Sequence, residues 1–300
     1  MKKLMILAGT TFIMAAMLLT TGCTVLFHIT DAGPVVEKTY DFTNFSAVEI
    51  SDSFNYNIQQ GTAYSITVSV RQYLTDKVDV HQNGNTLFVG MKNNTLLFGV
   101  DDNYTVTITM PQLNSLTVSD SSQGTASGFN STNGLALNVA DSSRLDAELT
   151  AGKTTMNISD SSRVTGNVTA GDIQIKVSSS SDLNMNLQTG NTVINATDSS
   201  DIIGSLQAAG CRITLSDSST CTLTGSANAG IISANDSSSM NSPGFTLQSA
   251  DVTLSGSSDA GIAVVNNLDI NVSDSSTLNY SGNPVVGKIS IRDSSNVNHR

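Results

Sequence analysis

A carboxylate returns at nearly constant spacing along most of this chain: Asp120, Asp141, Asp160, Asp198, Asp217, Asp236, Asp274 and Asp293, each followed by two serines. Ser179 and Gly256 take the first place in two further copies, which makes ten. Carboxylate oxygens are ligands of the kind that Ca²⁺ takes, and carboxylates stacked about 4.8 Å apart in a β-ladder repel one another. These eight aspartates are therefore candidate cation ligands. Against that reading, one carboxylate per repeat is a poor ligand set, and the Gly-rich nonapeptide of calcium-binding β-rolls is missing. The competing role is structural: each Asp accepts backbone N–H bonds two residues on, forming an Asx turn, and the serine hydroxyls bond along the stack. The residues alone favour this structural role and assign no metal site.

Catalytic chemistry has less to stand on. The histidines, His28, His81 and His299, are scattered over the chain, and no Cys/His zinc spacing or phosphate-cradling Gly motif is present. Arg144 and Arg163 are followed at the same repeat position by Asp182 and Asp201, a pattern read as a surface ion-pair ladder. The expectation is a protein without cofactor or enzymatic activity. A polysaccharide-active β-helix enzyme stands as the third reading, after an adhesin-like or structural protein and a calcium- or glycan-binding module.

The elements that must position these residues follow from the period. Successive copies are 21, 19, 19, 19, 19, 19, 20, 18 and 19 residues apart, so one small unit is stacked on copies of itself. Four places before the Asp position stand Leu116, Leu137, Met156, Ile175, Ile194, Ile213, Ile232, Val252, Ile270 and Ile289; two places before it stand Val118, Val139, Ile158, Val177, Ala196, Leu215, Ala234, Leu254, Val272 and Ile291. The place between them is polar every time, which is a period-2 strand with one buried face. A second strand follows, led by Leu145, Val164, Leu183, Ile202 and Cys221 at corresponding positions, and Gly152, Gly171, Gly190, Gly210 and Gly230 mark a second turn, where a backbone angle open mainly to Gly is expected. Nineteen residues leave no room for a crossover helix, so equivalent strands lie in parallel, one coil above the next. The predicted fold is an all-β parallel β-helix or β-solenoid of about ten coils, a rod of roughly 50 Å. Two flat sides or three remain equally open. The outward Thr, Asn and Ser columns form a polar face that is solvated or bonds to carbohydrate or ice. Cys221 opens a strand while Cys211 sits at the far end of the preceding one, too far to bridge, so two free thiols are expected.

Residues 1–22 have the plan of an export signal: Lys2 and Lys3, an apolar run from Leu4 to Leu19, then Thr20-Thr21-Gly22 before Cys23. Cys23 is the expected lipidation site, with 23–39 a lipidated tether, 40–115 an irregular β N-terminal module acting as a cap, and 116–300 the Asp-Ser-Ser solenoid. The formal charge is −11, and without Lys2 and Lys3 the remaining 12 basic and 25 acidic side chains give −13. Such a surface repels phosphate backbones, which argues against nucleic acid. The expected partners are the membrane, through the lipid, and a surface glycan or envelope protein, at an outer-membrane location facing the periplasm or the exterior.

The N-terminal part carries a further pattern: Phe45 to Ile50, Tyr56-Asn57-Ile58-Gln59-Gln60-Gly61, Ile66-Thr67-Val68, Leu87-Phe88-Val89, and Val106 to Leu113 leading into Leu116-Thr117-Val118-Ser119. From Phe42 to about Val177 this resembles the bacterial envelope family described as "putative auto-transporter adhesin, head GIN domain". The resemblance implies a parallel β-helix-like fold at the cell envelope and supplies no catalytic residues. Many relatives have Gly-rich turns where this chain has Asp-Ser-Ser.

Overall fold

A computed structural model of the chain describes residues 33–92 and 104–300. The signal segment 1–22, Cys23 and most of the tether lie outside the described residues. The described chain is a parallel β-solenoid, with one short 3₁₀ turn at Gln72–Leu74 as its only helical element. The 19-residue period appears directly as register. Val139 stands beside Ile158, Ile158 beside Val177 and Val177 beside Ala196, and Leu215 and Ala234 continue the column. The two apolar columns are buried in the first nine copies and emerge only at Ile289 and Ile291, 59% and 45% exposed at the C-terminal end.

The alternation of inward and outward residues shifts phase at the second turn of the coil, as from Ala151 to Thr154 and from Ala170 to Ile173, and pauses at the Asp-Ser-Ser corner, whose first two residues are outward. In the coil from Asp201 to Ser219, Ile202 and Leu206 are buried before that shift and Cys211, Ile213 and Leu215 after it, with Ser219 buried at the end of the corner. The backbone remains extended through the second turn, which is why Asp201–Leu215 and Thr220–Ala234 are single 15-residue strands. The glycine expectation needs correction. Gly152, Gly171, Gly190, Gly210 and Gly230 are not in the left-handed region. At Gly152 and Gly190 the reason for glycine is close approach instead: an added Cβ would sit 2.2 Å from the Thr132 carbonyl oxygen and 2.3 Å from that of Gly171. The unusual backbone angle lies earlier in the strand, where Gly204 has φ +154° and a Cβ would lie 1.9 Å from the Met185 oxygen one coil below.

The N-terminal end departs from simple stacking. Nine strands build it: β1 (Val35–Tyr40), β2 (Ala47–Ile50), β3 (Asn55–Gln60), β4 (Ser65–Arg71), β5 (Val78–Asn83), β6 (Thr86–Met91), β7 (Thr105–Met110), β8 (Ser115–Val118) and β9 (Gln123–Asn130). β2 lies in parallel between β6 and β8, and β3 lies in parallel between β7 and β9. The coil made of β6 and β7 is therefore beneath that of β2 and β3, although it follows in sequence. Antiparallel partners cover this end, with β5 on β6, β4 on β7 and β1 on β4. Its core is thicker, with Phe45 packed on Tyr64 and Phe54 on Tyr104. Tyr56 ties three coils together: its hydroxyl donates to the Arg144 carbonyl at 2.8 Å, past Gly124, where a Cβ would meet the tyrosine ring at 2.7 Å.

Cys211 and Cys221 are both free and buried. Burial pushes the Cys211 thiol from its ordinary 9.0 up to about 11. The Cys221 thiol rises to about 12, mainly through burial and further through Asp201 and Cys211. Well below pH 9 both thiols are neutral in the folded and unfolded chain and contribute no pH dependence. Above it the unfolded chain loses its thiol protons first, so stability falls as pH rises from about 9 toward 12. In the folded protein at pH 8, iodoacetamide should leave both residues unlabelled, and urea should expose both to labelling without reductant. A bridge between them would keep both peptides unlabelled in urea until reduction.

Candidate functional site

The Asp-Ser-Ser phrase is a tight corner with two consecutive left-handed residues. Asp120 and Ser121 have φ +52° and +63°, and the same pair of positive angles recurs in every copy, including the one where Gly256 (φ +64°) takes the Asp place beside Ser257 (φ +72°). The N–H of the third residue closes the turn on the residue before the Asp, as in Ser122 to Ser119 at 3.2 Å and Ser276 to Ser273 at 3.2 Å. Positive φ at both central positions with this closing bond is the signature of a type I′ turn. Asp suits the first position because Asn and Asp tolerate the left-handed region better than other residues with a Cβ.

The expected Asx turn is not what forms. Among the described residues no Asp of the phrase accepts a backbone N–H from two residues on. Its carboxylate takes the preceding side chain instead: Ser119, Ser159, Thr197, Ser216 and Ser273 each donate a hydroxyl to the next Asp at 2.7–2.9 Å. The bond along the stack is made by the backbone. Ser121 N–H donates to the Asp141 carbonyl, Ser142 to Asp160, Ser161 to Ser179, and so on to Ser275 and Asp293, all between 2.8 and 3.1 Å.

The second serine of the phrase has a role that its sequence position concealed. Ser122, Ser143, Ser162, Ser181, Ser200, Ser219, Ser238, Ser258 and Ser276 point inward and are essentially fully buried. A small polar side chain fits here because the next coil offers partners. Ser143 and Ser162 donate N–H to the hydroxyl oxygens of Ser162 and Ser181 at 3.1 and 3.2 Å, and the Ser258 hydroxyl donates to the Ala234 carbonyl at 2.8 Å. The hydroxyls of Ser122, Ser143 and Ser219 have no partner among the described residues.

Asp120, Asp141, Asp160, Asp198, Asp217, Asp236, Asp274 and Asp293 thus share one exposed edge. Among the described residues no group of three or more His, Cys, Asp or Glu is placed to hold a metal ion. One earlier corner escaped the sequence reading. Asp52 and Ser53 have φ +61° and +64°, and Ser53 N–H donates to the Asp120 carbonyl at 2.8 Å, so the ladder begins a coil earlier. The signal was present in Val48, Ile50 and Tyr56 at the repeat's own offsets of four before, two before and four after Asp52, but the strands β4 to β7 intervene before Asp120, 68 positions further on.

The outward columns spend much of their polarity on each other. Asn157 donates to Asn138 and Asn186 to Asn167, both at 2.8 Å, and Ser205 donates to Asn186 at 2.7 Å. Arg163 binds Asp182 at 2.5 Å, and Asp201 accepts from Thr220 rather than from an arginine. The Arg163–Asp182 pair is 55% and 39% exposed, so it adds little stability. His81 pairs with Asp79 in the cap and His299 with the Gly282 carbonyl at the other end, so neither joins a common centre.

These features define a parallel β-solenoid whose coils are joined at left-handed Asp-Ser corners. The family model described as "Putative auto-transporter adhesin, head GIN domain" matches residues 44–197 and 184–284, and the chain belongs to that family. Among solved structures, one described as a putative adhesin from Parabacteroides distasonis is similar with a TM-score of 0.54 at 18% identity, covering 89% of this chain and 98% of that one. A second, from Parabacteroides merdae, has a TM-score of 0.52 at 16% identity, covering 89% and 97%. At these identities the likeness establishes the shared fold. No curated protein matches the chain.

Asn-Gly is the pair that type I′ turns prefer. Replacing Asp160-Ser161 by Asn-Gly should raise the urea midpoint, by the equivalent of about 0.5–1 kcal/mol, because relief of left-handed strain at Ser161 exceeds the added freedom of Gly in the unfolded chain. Ser161→Val, a β-branched residue at positive φ, should lower it. A loss of stability in the Asn-Gly variant would contradict a corner governed by backbone geometry.

Proposed function

We propose that this chain is a non-catalytic protein of the cell envelope, held to the membrane by lipid on Cys23, whose solenoid serves adhesion or scaffolding. The observation that carries the reading is membership in a family described as adhesins, on a chain whose repeat is preserved along the full stack. The basis for anchoring is the sequence: a charged start, a short apolar run and small residues ahead of Cys23. In this arrangement the residues between Cys23 and β1 space the solenoid from an outer membrane, facing the periplasm or the exterior. The rod then presents its long sides to a surface glycan or to another envelope protein. Its acidic surface disfavours nucleic acid.

A protein spanning residues 24–300 should be captured on an array of glycans and matrix proteins, in parallel runs with calcium and with chelator. Capture in both conditions supports adhesion through polar contacts, and capture lost in chelator supports the calcium-dependent variant of the reading. Silence in both removes adhesion. Anchoring is tested separately in cells, where Cys23→Ser should move the protein from the membrane fraction to the soluble fraction. Unchanged membrane fractionation would exclude Cys23 as the anchor.

A further inference from the structure

The coil-to-coil regularity fails most clearly in one place, and a cleft lies there. The strand Ser239–Leu254 loses register with the following strand between Ser242 and Thr246, and with the preceding one between Cys221 and Gly225. The extra residues around Pro243 bulge outward at that point, as bulges do beside many functional sites. One coil further on, the outward position between Asn241 and Asn279 is Gly261. The missing side chain leaves a cleft of about 260 Å³ floored by Gly261 and bordered by Asn241, Asp259, Asn279, Tyr280 and Arg300.

The fold does not require glycine at 261. A Cβ there would meet the Asn241 Oδ1 atom at 3.6 Å and the Met240 carbonyl at 3.9 Å, which is ordinary contact, and its φ lies outside the left-handed region. Gly124 and Gly204 are different, since a Cβ at either would lie 1.9 Å from a carbonyl oxygen. The polar groups around the cleft also differ from the self-paired columns elsewhere. The side chains of Asn241, Asp259 and Arg300 have no hydrogen-bond partner among the described residues. Asn279 accepts from Asn298 at 3.2 Å and keeps its own amide hydrogens for another partner.

We infer that this cleft binds a single pyranose unit of a glycan. Sugar hydroxyls both donate and accept, and the cleft offers both: donors from Asn279 and Arg300, acceptors from Asn241 and Asp259. Its volume of about 260 Å³ is below the range of about 300–1,000 Å³ usual for drug-sized ligands, which limits the occupant to one ring. The inference deepens the adhesion reading and rests on it for the source of the sugar.

The test is titration of the protein with D-glucose, D-galactose, N-acetyl-D-glucosamine and D-glucuronate, followed by saturation-transfer NMR and calorimetry. At least one of these should bind saturably. Gly261→Asn, which fills the cleft, and Asn279→Ala, which removes a donor, should each weaken it by about tenfold or more. Ile203→Asn, an outward substitution three coils away, should leave both binding and melting unchanged. No binding by any of the four sugars, or equal binding by Gly261→Asn with unchanged melting, overturns the inference. Array capture that survives Gly261→Asn leaves adhesion standing without this cleft. Saturable sugar binding lost in Gly261→Asn, with no array capture, leaves the cleft without adhesion.

Discussion

The structure depends on the backbone bond that joins one corner to the next, from the N–H of the first serine to the carbonyl of the Asp position one coil on. A core this thin forces the chain to reverse direction within four residues, and the reversal must leave that N–H and that carbonyl pointing along the rod. Two successive left-handed residues achieve this. They also set the inward direction of the third residue, so Ser122 and its equivalents are buried as a consequence of the corner. The left-handed angles cost about 1–2 kcal/mol at a residue with a Cβ. The coil offsets this by completing a ladder in which the corner's polar backbone groups find partners.

The same corner accounts for the line of carboxylates without requiring a bound ion. Two charges about 4.8 Å apart in water repel by about 1 kcal/mol or less, and salt screens them further. The aspartates stand on an exposed edge and accept a hydroxyl from the preceding residue. Repulsion of that size is tolerable beside the backbone preference that selects Asp over most residues at positive φ. The periodic spacing that suggests a repeated ligand set is therefore explained by a repeated turn.

The stack itself was legible in the sequence, because the columns four and two places before the Asp obey a period that only parallel stacking satisfies. What escaped was local geometry with no hydrophobic signature. An Asx turn and a type I′ turn can be written with the same Asp-Ser-Ser, and the choice between them depends on two backbone angles. Glycines at 152 and 190 meet neighbouring carbonyls, whereas Gly204 adopts an angle open mainly to Gly, and one letter stands for both. The corner at Asp52 was hidden because hairpins interrupt the repeat, so its partner in space lies far away in the chain. Even so, Val48, Ile50 and Tyr56 keep the offsets that would have marked it.

A solenoid of nearly identical coils also changes how functional residues are to be recognised. In a globular enzyme the informative residue is the unusual polar group in a core. Here polar groups on the surface recur every 19 residues, and where they bond to their copies, as Asn138 does with Asn157, stacking alone accounts for them. The informative position is one where the repeat could have continued without cost and did not. Gly261 meets that condition, since an ordinary side chain fits its space and its backbone, and the column around it would be continuous with one. A repeat broken for the fold's sake shows a clash or a strained angle at the break. Where neither is present, the break points to something outside the fold, and the unpaired groups around Gly261 give that something its chemistry.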